Sequence, residues 1–165
     1  MAYSKQHYKA LDDLYDYMNG ILEIYRDAIP MLKDELDAIV NEDTEKLNLA
    51  MNAQQAIILK TRDFDERMAE FGKLIEVPNS SLRELAEKLP GDEGKRFVQL
   101  HEDLKVTIEE VLFYRNKCRE MLTTGMHRIE RILDGSGNPQ ENTTYDSTAS
   151  EVQTSLFPKS FQKKI

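Results

Sequence analysis

The chain has 165 residues, enough for one domain and hardly two, with 32% charged residues and a net charge of -8. That acidity disfavours nucleic acid and anionic membrane as partners, because both need basic surface. The single cysteine, Cys118, excludes an internal disulfide framework and fits a reducing compartment.

The N-terminal residues Met1 to Gln6 contain no apolar signal core, and no apolar run approaches ~20 residues. The chain reads as a soluble cytoplasmic protein with no membrane insertion. Ser4 can cap a first helix whose seam runs Tyr8, Leu11, Tyr15, Met18, Leu22, Tyr25, Ile29, Leu32, Leu36 and Ile39. The spacing alternates three and four, as in a helix laid against a partner helix. The helix should end near Val40, with Asn41 and Glu42 as the turn. Pro30 removes a backbone donor, so a kink is expected there rather than a break, since the seam keeps phase across it. A second row, Ala10, Tyr17, Ile24, Met31 and Ala38, repeats every seven residues off the seam, with Leu14, Ile21 and Ala28 between the rows. The apolar arc is then about 160° wide, more than one partner needs. Either this helix touches two neighbours, or part of the arc is left for a partner helix. Tyr17, Ile24 and Met31 are the candidate surface in the second case, with Tyr114 and Met121 on the last helix next in line.

From Asp43 to Val77 a second helix is expected, capped by Asp43 and ended by Pro78-Asn79. One seam position gives Leu47, Gln54, Thr61, Met68 and Ile75, and the other gives Ala50, Ile57, Phe64 and Phe71. At ~1.5 Å per residue the rod would be roughly 50 Å long. Gln54 and Thr61 are polar on an apolar seam; such residues fix register at a cost in stability, so Gln54→Leu is expected to raise the melting temperature. Ser81-Leu82-Arg83-Glu84 is a capping-box pattern and starts a short bridging helix stopped by Pro90-Gly91. Asp92 can cap a last long helix with the seam Phe97, His101, Leu104, Ile108, Val111, Arg115, Cys118, Leu122, Gly125, Ile129 and Ile132, closed at Asp134-Gly135.

The fold class is therefore all-α: an elongated antiparallel bundle of three long helices and one short helix over residues 1–134. A flexible tail follows over 135–165. Residues 140–155 are polar enough to expect disorder. The stretch from Leu156 to Ile165 differs, with two phenylalanines and three lysines; it reads either as a short docking motif or as a frayed end.

The chemistry-bearing residues do not assemble into a catalytic pattern. His101 occupies a seam slot. His-Glu-Asp-Leu-Lys at 101–105 is not a phosphotransfer motif, and the residues three before His7, His101 and His127 are Ser4, Val98 and Thr124, not the glutamates of a di-iron bundle. Asp134 to Tyr145 lacks the glycine and glutamate of a calcium loop. Cys118, on the seam, reads as a small hydrophobe. No enzyme, cofactor or metal is expected.

The order of certain residues resembles the FlgN-type flagellar export chaperones. Asn41-Glu42-Asp43-Thr44-Glu45-Lys46-Leu47 followed by Gln54-Gln55, Ile58 and Arg67 is similar to that family's second helix. The segment from Ser81 to Pro90 is similar to its short leucine-rich helix. Asn116 is similar to the asparagines in the middle of its last helix, with Cys118 where a further asparagine is usual. Tyr145 is similar to its tail tyrosine, although no glycine follows. The resemblance covers roughly residues 10–145. It implies a chaperone that binds the terminal amphipathic segments of hook-filament junction proteins, prevents premature assembly and delivers them to the flagellar export gate, with Tyr145 the candidate gate-docking residue. A wide apolar arc and the methionines Met18, Met31, Met121 and Met126 suit adaptable helix-in-groove binding, although methionines also fill core gaps. A scaffolding coiled coil and a sibling type III chaperone for another flagellar substrate stay open, as does self-association.

Overall fold

The computed structural model describes residues 4–76, 80–134 and 156–165, without the side chains of residues 128, 129 and 134. Helix α1 runs Lys5–Val40, α2 Thr44–Thr61, α3 Phe64–Leu74, α4 Leu82–Lys88 and α5 Gly91–Asp134; a single turn, α6, occupies Phe161–Lys164. No strand occurs among the described residues. The expected all-α bundle of long helices is what forms.

Helix α1 lies in the middle. It continues unbroken through Pro30. Leu14, Ile21 and Ala28, between its two apolar rows, are all buried. Buried residues over so wide an arc need cover from both flanks. One flank is the arm made by α2 and α3, the other is α5. The chain runs up through α1, down through α2 and α3, and up again through α5. Pairs between α1 and α5 keep nearly constant register: Arg96 Nη2 meets Asp12 Oδ1 at 2.6 Å and Cys118 Sγ donates to the Leu32 carbonyl at 3.6 Å, separations of 84 and 86 residues.

The single rod expected over 43–77 is divided. Helix α2 stops at Thr61 and α3 starts at Phe64. Thr61 is buried, and its hydroxyl donates to the Ile57 carbonyl at 2.9 Å, a back-bond that bends helices. Asp63, with Asp65 and Glu66 behind it, has the acidic composition of a helix start. The seam nevertheless holds phase: Ala50, Ile57, Thr61, Phe64, Met68, Phe71 and Ile75 are all buried. Pro78 and Asn79 lie outside the described residues. Gln54 also needs correction. It donates through Nε2 to Glu35 Oε2 on α1, so the polar seam residue has a partner and a leucine there would orphan a buried carboxylate.

Helix α4 has its capping box: Ser81 Oγ accepts from Glu84 N at 3.2 Å and Glu84 Oε2 accepts from Ser81 N at 3.1 Å. Its far end sits on the first turn of α5. A Cβ on Gly94 would fall 2.3 Å from the Leu89 carbonyl oxygen, so only glycine permits that approach.

The expected flexible tail needs correction at its far end. Residues 156–165 are seated in the core, with Leu156 1% and Phe161 0% exposed. Phe161 packs on Tyr25 (centroids 5.2 Å apart), on Phe64 (5.0 Å) and on Phe157 (5.4 Å). Aromatic rings that stack on rings of the bundle bury more apolar surface than a frayed end would. The Tyr25 hydroxyl donates to the Leu156 carbonyl at 3.2 Å, and Arg83 N donates to the Ile165 carbonyl at 3.3 Å.

Candidate binding groove

The turn between α1 and α2 is short and well capped. Asn41 Nδ2 donates to the Asp37 carbonyl at 3.0 Å, Asp43 Oδ1 accepts from Lys46 N at 3.0 Å, and Lys46 Nζ meets Asp37 Oδ2 at 2.5 Å. That lysine holds the Asp37 carboxyl below its ordinary value. Helix α1 is thereby stopped at Val40. The register with α5 places Val40 beside residues 124–126, so the last two turns of α5, roughly 12 Å, outrun α1.

An open apolar groove of about 450 Å³ results, lined by Ala38, Val40, Leu47, Met121, Leu122 and Met126. Val40 and Ile132 on its margin are more than half exposed. Gly125 faces it, and a Cβ there would meet nothing within 4 Å. Thr44 and Asp43 supply polar groups at one margin. The volume falls within the range of ligand pockets, but the apolar lining with few polar groups suits an amphipathic helix.

The residues singled out in the sequence do not converge. Met121 lines the groove. Tyr114 is half-buried, with Lys33 Nζ 5.3 Å from its ring centroid. Tyr17 lies under α3, 6.3 Å from Phe64 and 5.6 Å from Phe71 between centroids, with Arg67 over its ring at 5.2 Å. Ile24 and Met31 are half-buried against the core. Tyr145 lies outside the described residues. Val40, Leu47 and Ile132 were not singled out as binding residues. The signal was present in the seam of α5, which continues from Leu122 to Ile132, beyond the point where α1 has run out.

Between the groove and the rings around Tyr25, α1 carries a buried polar cluster. Glu35 and Arg115 are 5% and 6% exposed. Burial pushes the Glu35 carboxyl up, opposed by the Gln54 hydrogen bond and Arg115. Burial likewise lowers the Arg115 value, opposed by Glu35. The Cys118 thiol is pushed up to about 12, first by burial and then by Glu35, which leaves it protonated and unreactive at neutral pH. Among the described residues no helix is long and apolar enough to cross a membrane.

A model of the FlgN protein family matches residues 1–153. No curated protein and no solved structure matches the chain. The family match takes in α1 to α5 and the groove between them, and by it the chain belongs to the FlgN family, which is one of flagellar type III export chaperones rather than of enzymes.

Proposed function

We propose that this chain is a cytoplasmic chaperone that holds hook-filament junction proteins unassembled by seating a terminal amphipathic segment in the groove beside Met121, and then delivers them to the flagellar export gate. The observation that carries it is the overhang: α5 presents apolar residues past the end of α1, in a chain of a flagellar export chaperone family. An amphipathic helix laid there would complete the bundle locally by the same seam logic that pairs α1 with α5. Met121 and Met126 can repack around more than one sequence. The surface is assigned to the Met121 groove and not to the row Tyr17, Ile24 and Met31 further down α1, and Tyr145 is the residue assigned to the gate.

Gly125→Leu tests the groove without removing any core atom. The variant fills space that is open in the parent, so its melting temperature should hold or rise while calorimetric affinity for a junction-protein terminal peptide falls about tenfold or more. Unchanged affinity would remove the groove from the binding surface. Tighter binding of a filament-cap or flagellin segment by the parent would instead make this a sibling chaperone. Tyr145→Ala should leave peptide affinity intact and reduce secretion of the junction protein; intact secretion would remove Tyr145 from gate docking.

A further inference from the structure

We propose that the cleft between α3 and α4 on α1 is a second segment-binding position, that residues 156–165 are its resident ligand, and that an arriving amphipathic export segment displaces them. This rests on the function proposed above. Residues 156–165 are held as a bound peptide is held. Three side chains, Leu156, Phe157 and Phe161, insert among Tyr25 and Phe64, while the segment's only helix is four residues long. Its turn is closed by its own bonds, Phe161 N to the Pro158 carbonyl at 3.0 Å and Lys164 N to the Ser160 carbonyl at 3.0 Å. Among the described residues, hydrogen bonds join it to the bundle from Tyr25 to Leu156, from Arg83 to Ile165 and from the Ser160 hydroxyl to Asp65. These bonds and three inserted side chains must offset the entropy of ordering ten residues, far less anchorage than the long helices have, so the segment opens more readily than they do.

Charge points the same way. The segment carries Lys159, Lys163 and Lys164 and no acid, on a chain of net charge -8, and it lies against the acidic first turn of α3. Attraction between exposed charges is screened by salt, so its hold is adjustable. The two positions lie along one helix: Tyr25 and Val40 are fifteen residues apart on α1, about 22 Å, with the buried Leu32 and Glu35 between them, so an export segment that fills both does so with separate anchors. The ligand class follows from the resident: a segment with two or three large apolar or aromatic anchors within about one and a half turns, interspersed with lysines.

The test uses the full chain with two probes, a synthetic peptide of residues 156–165 and a junction-protein terminal peptide. Phe161→Ser should empty the cleft. The 156–165 peptide should then bind the variant at least tenfold more tightly than the parent, whose cleft is filled. On saturation of the parent with the junction peptide, amide hydrogen exchange at residues 161–165 should rise about tenfold or more, with α1 unchanged. If Phe161→Ser fails to fold, Lys159→Glu with Lys163→Glu, at exposed positions, should loosen the segment in the same direction with a smaller effect. No binding of the 156–165 peptide to any emptied or loosened chain overturns the proposal, as does full protection of residues 161–165 in the saturated complex. If the 156–165 peptide binds but the junction peptide binds neither parent nor variant, the cleft stands as a binding position, its displacement by export segments is overturned, and the substrate assignment above fails.

Discussion

Gln54 donates its amide to a carboxylate that is nearly out of water, so the value of this residue lies in what its loss would leave behind. Gln54→Leu should destabilise the bundle by about 1–3 kcal/mol in denaturant titrations, the cost of an orphaned buried acceptor; a gain in stability would show that Glu35 finds water when its partner is removed. Glu35 itself gives a pH test. Its carboxyl is raised above the ordinary 4.5 by burial, against the pull of Gln54 and Arg115. A carboxyl so raised holds its proton more tightly folded than unfolded. Its contribution to stability is therefore greatest below the unfolded value and is lost as pH climbs through the higher folded one. Urea titrations of parent and Glu35→Gln should accordingly shift in favour of the variant as pH climbs above about 4.5. A shift the other way would mean that pairing with Arg115 outweighs the burial of the charge. Tyr17, covered by the rings of Phe64 and Phe71, should cost about 2–4 kcal/mol as Tyr17→Ala, because truncation leaves a cavity.

Helix α4 is the element most dependent on one atom. Gly94→Ala would push a methyl into the Leu89 carbonyl, and backbone cannot yield as a side chain can. It should lower stability by about 2 kcal/mol or more and raise amide exchange across Leu82–Lys88 ahead of α1; an unchanged exchange pattern would show that α4 can ride outward freely. Helices of this kind are easy to read from sequence because period and cap coincide: the α1 seam from Leu11 to Leu32, the capping box at Ser81 and the α5 seam from Phe97 to Cys118 stand where the spacing put them, whereas Tyr8 and Ile132 at the seam ends are exposed. The break after Thr61 was harder. The seam crosses it in phase, so periodicity carries no mark of it, and only the Asp63-Asp65-Glu66 cluster hinted at a new start. The seat of residues 156–165 was harder still. A ten-residue stretch with Leu156, Phe157 and Phe161 shows that it wants burial, but neither its own spacing nor its charge says which rings receive it. The groove was half legible. Met121 and Met126 stood out as adaptable residues, whereas Val40 and Leu47 join them only because α1 stops where it does, and that is a relation between elements.

At the scale of the whole molecule, an α5 of 44 residues is about 66 Å long, so small-angle scattering should give a radius of gyration well above the ~15 Å of a compact chain of this length. The two long arms are hung on α1, one on each side. The arms differ in when they arrive. The α2–α3 arm follows α1 directly, while Phe97 and Cys118, which meet Tyr15 and Leu32, lie more than eighty residues downstream of their contacts. Contacts this far apart in sequence are slow to form. During synthesis one flank of α1 is thus left bare until residues 91–134 have emerged. A chaperone of this family thus spends the first part of its own life with an apolar surface uncovered, and its yield in the cell should depend on how quickly α5 follows.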